Sequence, residues 1–367
     1  MPDTSHFQAP PAPPSSRKRR LLRAQRWLAA PATAAYIAVI ALIAQETGLS
    51  YVLFPELGAL AHDVLQRPHG TWARAPVMLV LTPALTAVVG TLLTQHIAYG
   101  PVSVLLSVGS SILTIRLLRS PIAPAISAGL LPLTLGISSW LYAPSILIGT
   151  FLLASIAAIW GRFAPPTVPS VRDLADDITE RTPAHYSWVP FFLGFLIVAA
   201  LLAGLTGWRL LLFPPLVVMG FEMFAHPTVC PWAKRSLVLP VACALTAAGG
   251  LACVTLLGVT PLAAIASILI GIAVLRVVDL HVPPALAVGL LPFVIDDPGI
   301  TFPVAVSFGT LLLTLSFLLW RALMKRQVTD PAAGRSARES SDRKRLHRGI
   351  QCAARSMTIA SKARAIF

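Results

Sequence analysis

Three stretches of this chain, residues 76–96, 188–207 and 237–257, run without one Asp, Glu, Lys or Arg. Each has about the 20 residues that a helix needs to cross the roughly 30 Å hydrocarbon core of a bilayer. The fold class predicted is therefore an all-α polytopic membrane protein. Composition agrees. The chain is 56% hydrophobic and 12% charged, about half the charged share of a soluble domain. So few polar groups could not cover the surface of a soluble protein of this size.

The net charge of +14 points to a nucleic-acid binder until it is mapped. Residues 1–26 carry six Lys or Arg against one acid, and residues 325–367 carry eleven against three. The two tails thus hold nearly all of the excess. No nucleic-acid-binding fold accompanies it, and basic residues beside apolar spans hold loops in the cytoplasm. Residues 1–26, rich in Pro and Ser before RKRRLLRAQR, read as a disordered basic cytoplasmic arm rather than a cleaved signal peptide, and 325–367 as a basic cytoplasmic tail. Cys230, Cys243, Cys253 and Cys352 form no CxxC pair, so neither a disulfide framework nor a metal site is expected.

Shifting the sequence by 160 residues superposes residues of special type. Trp72 meets Trp232, Gly90 meets Gly250, Pro101 meets Pro261 and Arg116 meets Arg276. Pro124-Ala125 meets Pro284-Ala285, and Gly129-Leu130-Leu131-Pro132 meets Gly289-Leu290-Leu291-Pro292. At a shift of 159, Leu53-Phe54-Pro55 meets Leu212-Phe213-Pro214. Trp, Pro, Arg and Gly do not coincide by chance at one offset, so two tandem copies are predicted. The first membrane repeat is 27–162, a polar cytoplasmic linker covers 163–187, and the second repeat is 188–324.

Each copy offers six apolar segments. They are 27–47, 50–65, 76–96, 101–118, 121–140 and 143–162, then 188–207, 210–225, 237–257, 261–278, 282–295 and 301–322. If all six cross and the N-terminus lies inside, the positive residues of the loops fall inside and Arg209 is the one clear cation outside. An even number of crossings makes the copies parallel. A four-span count, with 50–65, 121–140, 210–225 and 282–295 dipping in and returning, puts Lys234, Arg235 and Arg276 outside. A mixed arrangement, with those segments as broken helices that partly cross, stays open.

Short segments broken by Pro or Gly at matching places are the sequence mark of a transport site. Pro124 and Pro284 are expected to begin half-helices, whose N-terminal N–H groups would favour an anion. The alternative is that they only kink or start packed spans. Arg116 and Arg276 either bind a substrate anion or snorkel to the inner interface. Asp63 and Glu222 match at the 159 shift. They read as partners for those arginines, as protonatable coupling groups, or as interfacial acids in contact with water. His281, just before Pro283-Pro284, is the histidine best placed to carry a proton. No P-loop, GxSxG elbow, HExxH or dinucleotide fingerprint is present, so neither enzymatic activity nor a cofactor is expected.

Around His281-Val282-Pro283-Pro284-Ala285 the chain resembles the HPP family of integral membrane proteins, named for a His-Pro-Pro motif before a small apolar helix. The first copy has Ser120-Pro121-Ile122-Ala123-Pro124-Ala125 there, without the histidine. Phe54 to Arg74 and Phe213 to Arg235 are also similar to the family's short Phe-containing segment and its Pro- and basic-containing loop. The resemblance implies a membrane transporter, with a small inorganic anion such as nitrite as substrate. The expectation is secondary or passive transport of a small solute across the cell membrane, both termini cytoplasmic, with self-association open. A scaffold subunit or a membrane-embedded enzyme acting on a lipid or quinone are the alternatives.

Overall fold

Apolar stretches of this kind fold as helices, because each backbone N–H and C=O then finds its partner within the segment. The computed structural model describes residues 16–164, 171–180, 183 and 186–329, without the side chains of 16–27, 171–172 and 325–329. These residues contain fourteen α-helices and no strand. They are α1 (Ser16–Thr47), α2 (Glu56–Gln66), α3 (Pro76–His96), α4 (Pro101–Leu117), α5 (Ala125–Leu135), α6 (Tyr142–Phe163) and α7 (Val171–Thr179). There follow α8 (Val189–Thr206), α9 (Pro214–Ala225), α10 (Pro231–Lys234), α11 (Leu239–Leu257), α12 (Pro261–Val277), α13 (Pro284–Leu290) and α14 (Thr301–Thr329).

Proline sets many of the starts. Pro76, Pro101, Pro214, Pro261 and Pro284 are each the first residue of a helix, where the missing N–H leaves no bond unmade. Gly136 and Gly207 close α5 and α8 in the left-handed conformation at φ 74°, which costs glycine nothing. One boundary departs from expectation. Residues 16–26, expected as part of a disordered arm, have helical backbone continuous with the first apolar segment. The Pro- and Ser-rich residues 1–15 and the tail from 330 lie outside the described residues.

Six helices are long and apolar enough to cross a membrane: α1 from Leu28, α3, α6, α8, α11 and α14 as far as Met324. Their outward faces are apolar too. On α3, Val77, Leu81, Leu85, Val88 and Leu92 are exposed at successive intervals of three or four residues, one face of a helix turned to lipid rather than water. Helices α4 and α12 have 17 residues each, at the lower limit for a span. Helices α2, α5, α9 and α13 have 7 to 12, a rise of about 10–18 Å. They are too short to cross as single helices, so a count of six straight spans per half does not hold.

The short helices are nonetheless threaded along the long ones. The Thr82 hydroxyl donates to Ser120, the Thr86 hydroxyl to the Ala125 carbonyl, and the Gln95 amide to the Ser138 carbonyl. Residues 120–138 therefore advance in step with 82–95 of α3. At the crossing, a Cβ built on Gly90 would lie 2.0 Å from the Gly129 carbonyl oxygen. Ser107 of α4 donates to that same carbonyl. In the second half a Cβ on Gly250 would lie 2.0 Å from the Gly289 oxygen, to which Ser267 of α12 donates. Both 17-residue helices end alike: Arg119 and Asp279 take the left-handed conformation at φ 50° and 47°, and the next amides bond back to Ile115 and Leu275.

The short helices meet across the halves of the chain. Helix α2 packs on α13, and α5 on α9. A Cβ on Gly58 of α2 would come within 2.7 Å of Leu290. All described residues of α9 from Pro214 to Phe224, and all of α13, are buried. Within the unit that ends at Thr314, these four short helices thus form a buried layer. The described residues from Leu315 to Thr329 belong to a second unit, within which the Arg321 guanidinium lies 5.7 Å from the centre of the Phe317 ring.

Candidate functional site

Two cavities lie at opposite ends of α2. One, of about 350 Å³, is lined by Tyr51 just before the helix, with Thr134, Arg209, Asp296 and Phe302. The other, of about 220 Å³, is lined by His62 and Gln66 in the last turns, with Arg276, Asp279 and His281. Each holds one arginine and one aspartate. Arg209 is also stacked 5.2 Å over the Tyr99 ring, and Asp279 is paired with Arg235 at 3.5 Å.

The barrier between them is the layer of short helices. Within it Glu56, in the first turn of α2, is buried. The Ser127 hydroxyl of α5 donates to its Oε1 at 2.5 Å, while Oε2 has no hydrogen-bond partner. Tyr142 of α6 is buried beside it, donating to the Ala128 carbonyl, and Tyr51 packs edge-on against Tyr142 at 5.8 Å. A helix N-terminus favours an ionised carboxylate by roughly 0.3–1 kcal/mol. Burying that charge without a cation costs several kcal/mol. Desolvation wins at this position.

At the other end of α2 the acids do have a cation. Arg67, the residue that caps α2, is buried among four carboxylates. Its guanidinium holds Asp63 one turn back at 2.7 Å, Asp177 at 3.2 Å and Glu180 in direct contact, with Asp176 at 4.0 Å. Thr71 also donates to Asp177. Asp63 and Arg67 meet because residues four apart share a helix face. The other three acids come from the end of α7. His281 extends the cluster: its Nε2 lies 3.3 Å from Asp176, an ion-pair approach without hydrogen-bond alignment. One network therefore ties α2, the linker helix and the loop before α13.

Burial would disfavour the Arg67 charge, but Asp63, Glu180 and Asp176 more than offset it and hold the guanidinium firmly protonated. Burial and the Asp63 charge push the Glu180 carboxyl well above the usual range, with Arg67 opposing them. For His281 burial acts downward, and the Asp176 and Asp63 carboxylates outweigh it, so the imidazole titrates above its ordinary value. Stability held by protonated His281 is thus fully present below about pH 6.5 and lost as pH rises through the raised value. The raised Glu180 carboxyl acts in the same direction. Amide exchange in residues 173–180, corrected for its intrinsic pH dependence, is expected to accelerate from pH 6 to pH 9. In His281→Asn this slope is expected to shrink. An unchanged slope would detach His281 from the linker.

The residues expected from sequence fall in different places. Arg276 and His281 share the second cavity. Asp63 is buried but pairs with Arg67, not with Arg116 or Arg276. Glu222 is buried on α9 and faces a void of about 10 Å³ shared with Arg67, Glu180 and Pro284, the room of roughly one water molecule. Arg116 is at the surface, its guanidinium 4.8 Å over the Tyr186 ring, and lines neither cavity. Pro124 and Pro284 do stand at helix starts. However, the amides of Ala125, Ile126 and Ser127 bond to the carbonyls three residues back, as do those of Ala285 and Leu286. The expected free N–H groups are therefore already engaged, and the cationic side chains lining the cavities are Arg209 in the first and Arg276, with His281 when protonated, in the second.

Sequence reasoning missed Arg67, Asp176, Asp177, Glu180 and the Glu56–Ser127 pair. For the last of these a signal existed: Glu56 is an acid inside an apolar segment, which is a functional candidate by default. Comparison with protein-family models, curated proteins and solved structures finds no match.

Proposed function

We propose that this chain is a secondary or passive transporter of a small solute, made of two tandem parallel copies of one unit, with both termini on the cytoplasmic side of a cell membrane. The observation that carries this reading is the pair of cavities at opposite ends of α2, separated by short helices that meet across the halves. Alternating access needs such an arrangement: one solute-sized space on each side, and a closed layer that two similar bodies can open in turn. Short helices buried in protein are tolerated at that depth, where lipid-exposed irregular backbone is not.

The duplication draws support from the equal geometry at equal offsets. Gly90–Gly129 with Ser107 and Gly250–Gly289 with Ser267 are the same three-helix contact, and Arg119 and Asp279 are the same unusual cap. A small inorganic anion, nitrite among the first to try, is favoured as solute by the arginine in each cavity, Arg209 and Arg276. The similarity to HPP proteins around His281 points the same way.

Uptake of labelled nitrite and of other small anions into proteoliposomes tests the reading. Saturable uptake is expected in the wild type. A decrease of about tenfold, the loss of roughly 1.4 kcal/mol of binding, is expected in Arg276→Ala and in Arg209→Ala. No uptake above empty vesicles for any small anion would sink the anion reading. Tail-dependent retention of a partner protein, or turnover of a lipid or quinone, would favour the scaffold or the enzyme.

A further inference from the structure

Five acids are buried around the central layer and its linker-side end, and they are not alike. Asp63, Asp176 and Glu180 surround Arg67. Glu222 faces the small void that Arg67 also lines. Glu56 is at the opposite end of α2, without a cation, and is within electrostatic reach of Glu222 of α9. The helices packed on α2 supply no basic group near it. Among described side chains, α1 offers Tyr36, whose hydroxyl is committed to the Gly149 carbonyl, and the exposed Glu46. Helix α6 offers Tyr142, and Arg162 only at its far end. Helix α13 has no titratable residue. Ser127 of α5 is the one donor to the carboxyl, and Tyr142 spends its proton on Ala128.

Position gives this carboxyl a use. It lies five residues beyond Tyr51, which lines the first cavity and packs on Tyr142. Tyr142 stands close to both, in ring contact with Tyr51 and within electrostatic reach of Glu56.

We propose that Glu56 is the proton-binding site of this transporter: it is held as the neutral acid in the closed state, takes its proton from the Tyr51 cavity, and releases it toward the Arg276–His281 cavity. This deepens the transport reading and rests on it. The step balances. One carboxylate takes up one proton, and the acid later gives up the same proton. With one monovalent anion carried in the same direction, no net charge crosses.

Infrared spectroscopy of the full chain in lipid vesicles tests the proton site without needing transport. A carboxylic C=O stretch typical of an apolar environment is expected at pH 7 in wild type, and Glu56→Gln, which keeps shape and volume, is expected to remove the Glu56 component of it. In Ser127→Ala that component is expected to shift to higher frequency, because its one donor is removed. Glu180 and Glu222 are buried acids too, so the readout is the wild-type minus Glu56→Gln difference spectrum: no carboxylic band in that difference would overturn the proposal.

Uptake then tests coupling. An inward proton gradient is expected to raise anion accumulation at least tenfold in wild type. In Glu56→Gln, anion exchange should persist while the gradient effect is lost. Gradient-driven accumulation that survives in Glu56→Gln would overturn the coupling role. If wild type moves no anion, the transport reading fails, and the infrared band still decides whether Glu56 holds a proton.

Discussion

Gly90→Ala is expected to lower the stability of the purified protein by about 3 kcal/mol, the upper end of what overpacking usually costs. The reason is geometric. The added methyl carbon would lie 2.0 Å from the Gly129 carbonyl oxygen and 2.8 Å from its carbon, far inside van der Waals contact. Both atoms are backbone, so no side chain can swing aside. Helices α3 and α5 would have to separate, and α5 is a wall of the central layer. Gly250→Ala is expected to cost about the same, since its Cβ would meet the Gly289 oxygen at the same 2.0 Å. Gly109→Ala is the control. Its Cβ meets nothing within 4 Å, and alanine in a helix interior is favoured over glycine by roughly 1 kcal/mol. Thermal unfolding in one detergent would rank the three. A loss at Gly90 or Gly250 no larger than at Gly109 would mean that these helices do not cross so closely.

That contact also shows what was legible in the sequence. Gly90 and Gly129 match Gly250 and Gly289 at an offset of 160, and at each pair only glycine fits the backbone-to-backbone crossing. Spans were legible because desolvation of the backbone forces apolar runs into helices, and segment 76–96 coincides with α3 to the residue. The extent of the short helices was less so. Pro124 and Pro284 announce where α5 and α13 begin, but the length of a buried helix depends on what encloses it. The pairing of α2 with α13 and of α5 with α9 has no local signal at all. The Arg67 network was invisible for a similar reason. Asp176, Asp177 and Glu180 lie in a segment whose composition reads as solvated linker, and nothing in it foretells that α7 folds back onto α2. Arg116 misled in the opposite sense. Its match to Arg276 is a match of chain position, and the two arginines have different surroundings, Tyr186 against the second cavity.

Arg67→Leu is expected to destabilise the protein by about 3–5 kcal/mol at neutral pH, the cost of removing one partner from a buried charge cluster. The side chains of Arg67, Asp63 and Glu180 are only 8%, 1% and 5% exposed, so solvent screens little of it. Leucine fills much of the space but leaves Asp63, Asp176 and Glu180 facing one another. Two escapes are open to these acids. They can take up protons, or α7 can leave and carry Asp176, Asp177 and Glu180 into water. The first makes a signed prediction. Without Arg67 the folded state binds protons that the unfolded chain, with carboxyl pKa values near 4, does not. Stability of the variant should therefore rise as pH falls from 7 toward 5. The second predicts rapid proteolytic cleavage between 171 and 180 at neutral pH, slower at pH 5. Adding Glu180→Leu to the variant should restore part of the loss, because it removes one uncompensated charge and packs against the new leucine. If instead Arg67→Leu unfolds like wild type and leaves the linker protected, α7 is held by its apolar face rather than by Arg67. The tie from α2 through Asp176 to His281 and the second cavity would then have no energetic basis.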